Sequence, residues 1–247
     1  MGHTVRRALR HGGSAALLAA ALLMGTTACG TPDEHRPLTP DEAQRLALAR
    51  LSVYERGPAS VRLRVPAADT DVGVDAVVDY AAHRALGSYR ALGREGRVAW
   101  DAAGVSVAPG HGHPGGRGAA TRWSTRAYTR DPVDRALRLV LALGSDRPEN
   151  AQLLAQSGPR WLGERRLRGH TYTLFAGPRP APHGPGRTAP SEPPVSPVTY
   201  WIDETGALGR VEAVLTSGAD PVTVDFTGRR SPLPPGPWPA PAGPARP

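Results

Sequence analysis

The stretch of sequence that decides the fold is residues 61–80, VRLRVPAADTDVGVDAVVDY. In residues 61–65 apolar and arginine side chains alternate, which is typical of a β-strand with one buried face and one face in water. Residues 72–80 repeat the alternation, with Asp75 and Asp79 on the face opposite the valines. A short polar turn containing proline and aspartate separates the two runs. The stretch therefore predicts two adjacent antiparallel strands that share one apolar face.

After residue 80 the same period of two recurs in short segments joined by glycine-containing turns, the pattern of an antiparallel meander. The predicted strands cover residues 84–92, 97–101, 105–108, 121–128, 161–167, 171–175, 199–203, 208–215 and 221–226. Residues 177–197 are rich in proline and glycine, so a long disordered loop is predicted there. Residues 231–247 form a proline-rich tail that is also predicted to be disordered.

Two blocks of the sequence have helical spacing instead. Thr39 and Glu42 form a capping box around Pro40, and apolar side chains follow at helical intervals, so a helix is predicted over residues 40–56. Residues 131–157 contain two further helical patterns and are predicted to form an αα-hairpin. Because the helices are grouped apart from the strands, the sequence predicts an α+β fold with one antiparallel sheet and helices against one of its faces.

The N-terminus has the order of a bacterial signal peptide. Three arginines precede an apolar run over residues 14–24, and small residues then lead to Cys29, the single cysteine of the chain. This order predicts a signal peptide over residues 1–28 and export from the cytoplasm. The polar, proline-containing residues 29–38 are predicted to be a tether, followed by one domain over residues 39–230.

The residues before Cys29, Thr26-Thr27-Ala28, resemble the lipobox of bacterial lipoproteins. In that family the cysteine receives a diacylglycerol thioether and fatty acid such as palmitate, and it becomes the mature N-terminus. The resemblance implies lipid attachment at Cys29 and a location on the extracytoplasmic face of the cell membrane. The alternative is ordinary secretory cleavage after Ala28, which would release a secreted protein.

The charge distribution of the sequence argues against a nucleic-acid partner. All 30 basic residues are arginine and the formal net charge is +8, but the arginines are spread among aspartate and glutamate. Nucleic-acid binding needs basic residues clustered on one face, so no nucleic-acid partner is expected. The abundance of arginine, alanine, glycine and proline, which have GC-rich codons, suggests an actinobacterial source.

No catalytic or cofactor motif is found in the sequence. A nucleophile elbow, a phosphate-binding glycine loop and a dinucleotide fingerprint are all missing. His111-Gly112-His113 is a close histidine pair, but the surrounding glycine and proline residues provide no further metal ligands. We therefore expect no metal, no cofactor and no enzymatic activity, and a monomeric protein. An envelope hydrolase is the less favoured alternative.

The order of elements resembles that of the LolA/LppX-like lipoprotein-carrier superfamily, which includes LprG-like lipoproteins. The matching features are the motif at Cys29, the helix over 40–56, the meander over 59–108, the helix pair over 131–157 and the segment YWIDETG at 200–206. The resemblance implies a curved antiparallel sheet, a half-barrel, with helices covering its concave face.

The resemblance also implies a function. Members of that superfamily hold acyl chains of a lipid or lipidated molecule between sheet and helices, so a membrane-anchored carrier of an apolar ligand is expected. The residues that would line the site are Val78, Tyr80, Trp100, Leu137, Val140, Leu141, Tyr172 and Leu174. Ordinary core packing is the competing interpretation for each of them. The alternative function is a structural or interaction lipoprotein without a ligand cavity.

Overall fold

A computed structural model of the protein describes residues 35–67, 69–110, 122–179 and 196–238. Within these ranges the chain forms three helices, α1 (Pro40–Glu55), α2 (Pro132–Ala142) and α3 (Ala151–Gln156). The strands there are β1 (Arg36–Pro37), β2 (Ala59–Val65), β3 (Val72–Asp79), β4 (Arg84–Ala91), β5 (Arg94–Asp101), β6 (Gly104–Pro109), β7 (Ser124–Ala127), β8 (Arg160–Leu167), β9 (His170–Ala176), β10 (Val198–Ile202), β11 (Leu208–Ala213) and β12 (Val222–Phe226).

The described strands form one open antiparallel sheet in the order β1-β8-β9-β10-β11-β12-β2-β3-β4-β5-β6-β7. Strand β2 lies near the middle, where Leu63 is opposite Val224 of β12 on one side and Val74 of β3 on the other. The prediction of one antiparallel sheet is confirmed, and this sheet dominates the described part of the fold. The first and last long strands of the domain are therefore direct neighbours.

One face of the sheet packs against the helices, and we call it the helix-side face. Its central strands contribute alternate residues such as Val61, Leu63 and Val78 to an apolar core that includes Leu46 of α1 and Leu137 of α2. The residues between them, such as the arginines of β2, lie on the other face, which we call the outer face. The period of two in residues 61–80 thus separates the two faces as predicted.

Helix α1 begins as the sequence predicts, with the full capping box between Thr39 and Glu42. The Glu42 carboxylate also accepts two hydrogen bonds of 2.7 Å from Arg36 of β1, and mainly these hydrogen bonds lower the pKa of Glu42 to about 2. The Arg36 guanidinium lies 4.5 Å from the centroid of the Trp161 ring on β8. Strand β1, which lies inside the stretch predicted as a tether, is therefore fixed to both α1 and the sheet.

Helix α2 is joined to the sheet by two polar contacts. The Trp100 indole on β5 donates a hydrogen bond of 3.0 Å to the carbonyl oxygen of Leu137. At the start of the helix the Asp134 carboxylate, which is fully buried, accepts two hydrogen bonds of 2.6 and 2.7 Å from Arg126 of β7. The backbone N–H and hydroxyl of Thr129 each donate a further bond of 2.7 Å to Asp134. These contacts fix the position of α2 along the strands.

Several predicted segments lie outside the described residues. They are the signal peptide 1–28 with Cys29, the histidine pair at 111–113, residues 180–195 of the proline-rich loop, and the end of the tail after residue 238. Residues 231–238 are described and form neither helix nor strand. In this segment Trp238 stacks with Arg84, whose guanidinium lies 5.3 Å from the ring centroid.

Candidate functional site

Five of the eight residues predicted to line a ligand site share one cluster on the helix-side face. None is more than 2% exposed, and they pack as a continuous layer between α2 and the strands. They are Val78, Tyr80, Trp100, Leu137 and Val140. Leu141 is partly buried against the same cluster. The structure therefore places these six residues together as core side chains.

The other two predicted residues, Tyr172 and Leu174, are separated from this cluster. Leu174 is opposite Trp201 in the register of β9 and β10, and the Tyr172 ring centroid is 6.4 Å from that of Trp201. Phe175, which follows Leu174, is the residue of β9 that packs in the core cluster, and it is completely buried. Tyr172 and Leu174 therefore lie on the outer face of the sheet, and Tyr172 also lines the pocket at the end of α1 that is described below.

The core cluster contains one unpaired polar group. The Tyr80 hydroxyl is buried and has no hydrogen-bond partner among the described residues. Burial raises the pKa of this hydroxyl far above its usual range. A Cβ atom at Gly144 would come within 2.5 Å of the Tyr80 ring, so the glycine after α2 allows the chain to pass directly over the ring. The phenol is thereby enclosed between β3 and the helices.

A pocket of about 300 Å³ lies where the C-terminal end of α1 meets the ends of β2, β11 and β12, and we call it the α1-end pocket. Its apolar wall includes Val53 of α1, Ala59 of β2, Leu208 of β11 and Phe226 of β12. Its polar lining includes Arg56, Asp203, Arg229 and Arg230. The pocket thus combines an apolar wall from the helix–sheet layer with a charged rim.

Two turns give this pocket its shape. Gly57 ends α1 with a φ of 77°, a conformation that glycine adopts without strain, and Pro58 then leads the chain into β2. On the opposite side Asp203 begins the turn between β10 and β11. Its carboxylate accepts hydrogen bonds from the backbone N–H of Thr205 at 2.9 Å and of Ala207 at 2.8 Å. Ala207 therefore has a fixed position at the lining of the pocket.

The rim of the α1-end pocket carries an excess of positive charge. Three arginines and one aspartate line it, and the aspartate is already engaged by the amides of its own turn. Guanidinium groups bind carboxylates and phosphates through paired hydrogen bonds. The arrangement is chemically suited to a molecule with an apolar chain and an anionic end group.

Sequence reasoning did not find this rim. Arg56 follows a helix, whereas Arg229 and Arg230 follow the last strand, more than 170 residues later in the chain. Only the pairing of β12 with β2 brings these two ends together. The sequence signal was limited to an Arg-Arg pair that follows an apolar strand after two intervening residues.

The described part of the chain has neither a cluster of metal-ligating side chains nor a membrane-spanning helix. Within residues 35–67, 69–110, 122–179 and 196–238, no group of three or more His, Cys, Asp or Glu side chains is placed to hold a metal ion. No helix in those ranges combines the length and apolar character needed to cross a membrane.

Comparisons with known proteins identify no family. No protein-family model and no curated protein matches the chain. Among solved structures it is similar to a putative outer membrane lipoprotein-sorting protein domain from Vibrio parahaemolyticus, at 8% identity over 69% of this chain and 83% of that one, with a TM-score of 0.21. That description fits the predicted LolA/LppX-like superfamily loosely, but so poor a superposition carries no argument about what this chain binds.

Proposed function

We propose that this chain is an exported, lipid-anchored binding protein of the cell envelope that holds the acyl chain of an anionic lipid or lipidated molecule in the α1-end pocket. The observation that supports the proposal is the combination of an apolar wall with an arginine rim at the edge of the helix–sheet layer. In this proposal the ligand lies at the end of α1, and not beneath α2 where it was expected from the sequence.

Two parts of an amphiphilic ligand would contribute to its binding at this site, the apolar chain and the anionic end group. Each methylene that leaves water for the apolar wall contributes roughly 0.8 kcal/mol, so a short stretch of acyl chain is sufficient for measurable binding. The anionic end group stays at the rim, where Arg56, Arg229 and Arg230 face it and where it keeps part of its hydration. Binding of this kind requires no catalytic residue, and we propose that the protein is not an enzyme.

Filling the α1-end pocket is expected to abolish lipid binding without unfolding the protein. In an Ala207→Trp variant the indole would occupy the pocket from a turn position, outside the strands. We expect binding of a fluorescent fatty acid, measured by titration, to weaken at least tenfold, about 1.4 kcal/mol.

The matched control is Ala82→Trp. Ala82 lies in the turn after β3, and its backbone N–H likewise bonds an aspartate, Asp79, at 3.0 Å. This variant should bind the probe as the unaltered protein does. A double variant, Arg56→Gln with Arg230→Gln, should weaken a fatty acid but not the corresponding fatty alcohol. Equal binding by all four proteins would contradict the proposed site.

The anchor has a separate test. If Cys29 is lipidated, Cys29→Ala should move the full-length protein from the membrane fraction to the culture medium when both forms are expressed in a bacterium that processes lipoproteins. Immunoblots of the two fractions measure this shift. An unchanged distribution would favour ordinary secretory processing after Ala28.

A second candidate function is supported by the closed packing beneath α2. Val78 and Val140 are completely buried there, and Trp100 bonds the helix backbone, so this part of the core has the character of a structural interior. An interaction lipoprotein that presents a surface to an envelope partner would need only such a closed core, without a ligand cavity. It becomes the better explanation if no fatty acid, alcohol or phospholipid binds the unaltered protein.

A further inference from the structure

The outer face of the sheet carries charged side chains in a row that crosses the strands. In the strand register Arg210 of β11 is opposite Asp225 of β12, Asp225 is opposite Arg62 of β2, and Arg62 is opposite Asp75 of β3. The guanidinium groups of Arg210 and Arg62 bond Asp225 and Asp75 at 2.7 and 2.9 Å respectively. Cross-strand pairs of opposite charge stabilise a sheet modestly, so this row also has a structural role.

The outer face also forms a groove of about 890 Å³, which we call the outer groove and which includes Arg62 and Asp75 of this row. Its floor is made by β2 to β5, and the C-terminal segment borders it at Thr227, Arg229 and Pro234. Arg168, in the two-residue turn between β8 and β9, also lines it and forms an ion pair of 3.2 Å with Asp225. Both residues of that turn have positive φ, which fixes the direction of the hairpin.

The outer groove contains more positive than negative charge. Its lining includes five arginines and two carboxylates, which leaves an excess of three positive charges. Asp75 is shared between Arg62 at 2.9 Å and Arg90 at 3.4 Å, so one carboxylate partners two guanidinium groups. The other arginines of the lining are Arg97, Arg168 and Arg229. Arg90 also pairs with Glu95 at 3.3 Å, and Arg168 pairs with Asp225, so the net positive charge of the groove rests on the excess of arginines over carboxylates in its lining.

We propose that the outer groove is a second binding site, which takes an extended polyanion carrying repeated phosphate or carboxylate groups, such as an anionic envelope polymer. Its arginines occupy several neighbouring strands and both borders, which matches repeated charges along a chain better than one isolated anion. Guanidinium groups bind both kinds of anion through paired hydrogen bonds. The C-terminal segment and the turn between β8 and β9 border the groove, so this face is concave and not a flat surface that could lie against a bilayer.

This site is distinct from the α1-end pocket. The two lie near the end of β12 and have Ser60 and Arg229 in common, but their other lining residues differ. Residues that line only the outer groove can therefore be altered without touching the lipid site. The two proposals can fail independently.

The test uses Arg90→Gln combined with Arg168→Gln. Both side chains are well exposed, and their removal leaves Asp75 with Arg62 and Asp225 with Arg210. Glu95, which pairs with Arg90 at 3.3 Å, is 70% exposed and stays hydrated when that partner is removed. At low ionic strength we expect labelled inorganic polyphosphate and polygalacturonate to bind the unaltered protein, and the double variant to bind each of them roughly tenfold more weakly. Added salt should weaken binding to the unaltered protein because it screens these contacts.

The matched control is Arg130→Gln combined with Arg147→Gln, which removes the same charge from two exposed loop positions outside the groove. It should retain polyanion binding, and fatty-acid binding should be unchanged in both double variants. Equal loss in the two double variants would overturn the proposal, since net charge alone would explain it. Binding to phosphatidylglycerol vesicles but not to either polyanion would also overturn it, in favour of a membrane surface.

Discussion

Replacing Asp134 by alanine is expected to lower the free energy of unfolding by about 3 kcal/mol, the lower part of the range for breaking a buried ion pair. The carboxylate is completely buried and accepts bonds from Arg126 and from the amide and hydroxyl of Thr129. The loss should fall below that of a pair with both charges buried, because Arg126 is 49% exposed and can be solvated by water. Urea denaturation followed by circular dichroism measures the change.

Asp134 should also contribute to acid sensitivity. The Arg126 guanidinium is the main cause that lowers its pKa to about 2. A carboxylate whose pKa is lowered by folding stabilises the protein above its unfolded pKa of about 3.9, and that stability disappears as the pH falls from about 4 towards about 2. An Asp134→Asn variant should therefore lose less stability across this interval than the unaltered protein does. Part of the dependence remains, since Glu42 titrates in the same range.

Asp131 provides the control for both measurements. It is the N-cap of the same helix, and its carboxylate accepts a hydrogen bond of 2.8 Å from the Val133 amide. Loss of such a cap costs about 1 kcal/mol, so Asp131→Ala should be clearly milder than Asp134→Ala. If the two alanine variants unfold at the same urea concentration, the buried ion pair contributes no more to the free energy of unfolding than the helix cap does.

Replacing Trp100 by alanine should cost about 3–5 kcal/mol, the range for removing a large buried aromatic side chain. The side chain is 1% exposed and lies in the cluster between β5 and α2. Trp100→Phe keeps most of the apolar volume but removes the donor to the Leu137 carbonyl oxygen, which should cost about 1–3 kcal/mol. Equilibrium unfolding of both variants measures the two contributions separately.

Trp123→Ala is a suitable comparison, because that ring is only partly buried and packs beside Arg97 near an edge of the sheet. It should destabilise the protein much less than Trp100→Ala. A Trp100→Phe variant as stable as the unaltered protein would show that the indole–carbonyl bond adds nothing to the attachment of α2.

The local sequence signals were sufficient for most of the elements. The capping box at Thr39 fixed the start of α1, and the alternation in residues 61–80 identified β2, β3 and their buried faces. These signals act over a few residues, where backbone preference and the period of apolar side chains agree. The resulting sheet is antiparallel and open, as expected.

The faces of β9 could not be assigned in this way. Tyr172 and Leu174 alternate with Thr173 and Phe175, so each face carries a large apolar residue and the sequence alone favours neither. Register shifts near Gly163 on β8 and between Trp201 and Ile202 on β10 further disturb the pattern. Only the pairing of the neighbouring strands shows that Phe175 points to the core.

The candidate binding sites depended even more on tertiary structure. The α1-end pocket requires β12 to pair with β2, and the outer groove requires the hairpin of β8 and β9 to reach Asp225. Neither contact can be predicted from the spacing of nearby residues, because the strands that meet are far apart in the sequence. The arginines appeared scattered in the sequence because their clustering exists only across strands.

The two edges of the sheet have a consequence for self-association. An open sheet presents unpaired amide and carbonyl groups at its edges, and these can recruit a strand from another chain. At one edge β1 pairs only with Arg160 and Trp161 of β8, and the rest of β8 carries the exposed charged residues Glu164, Arg165 and Arg166. The other edge is β7, which is four residues long. Charged side chains along one edge and the short strand at the other both disfavour pairing with a strand from another chain, so the protein should resist edge-to-edge aggregation.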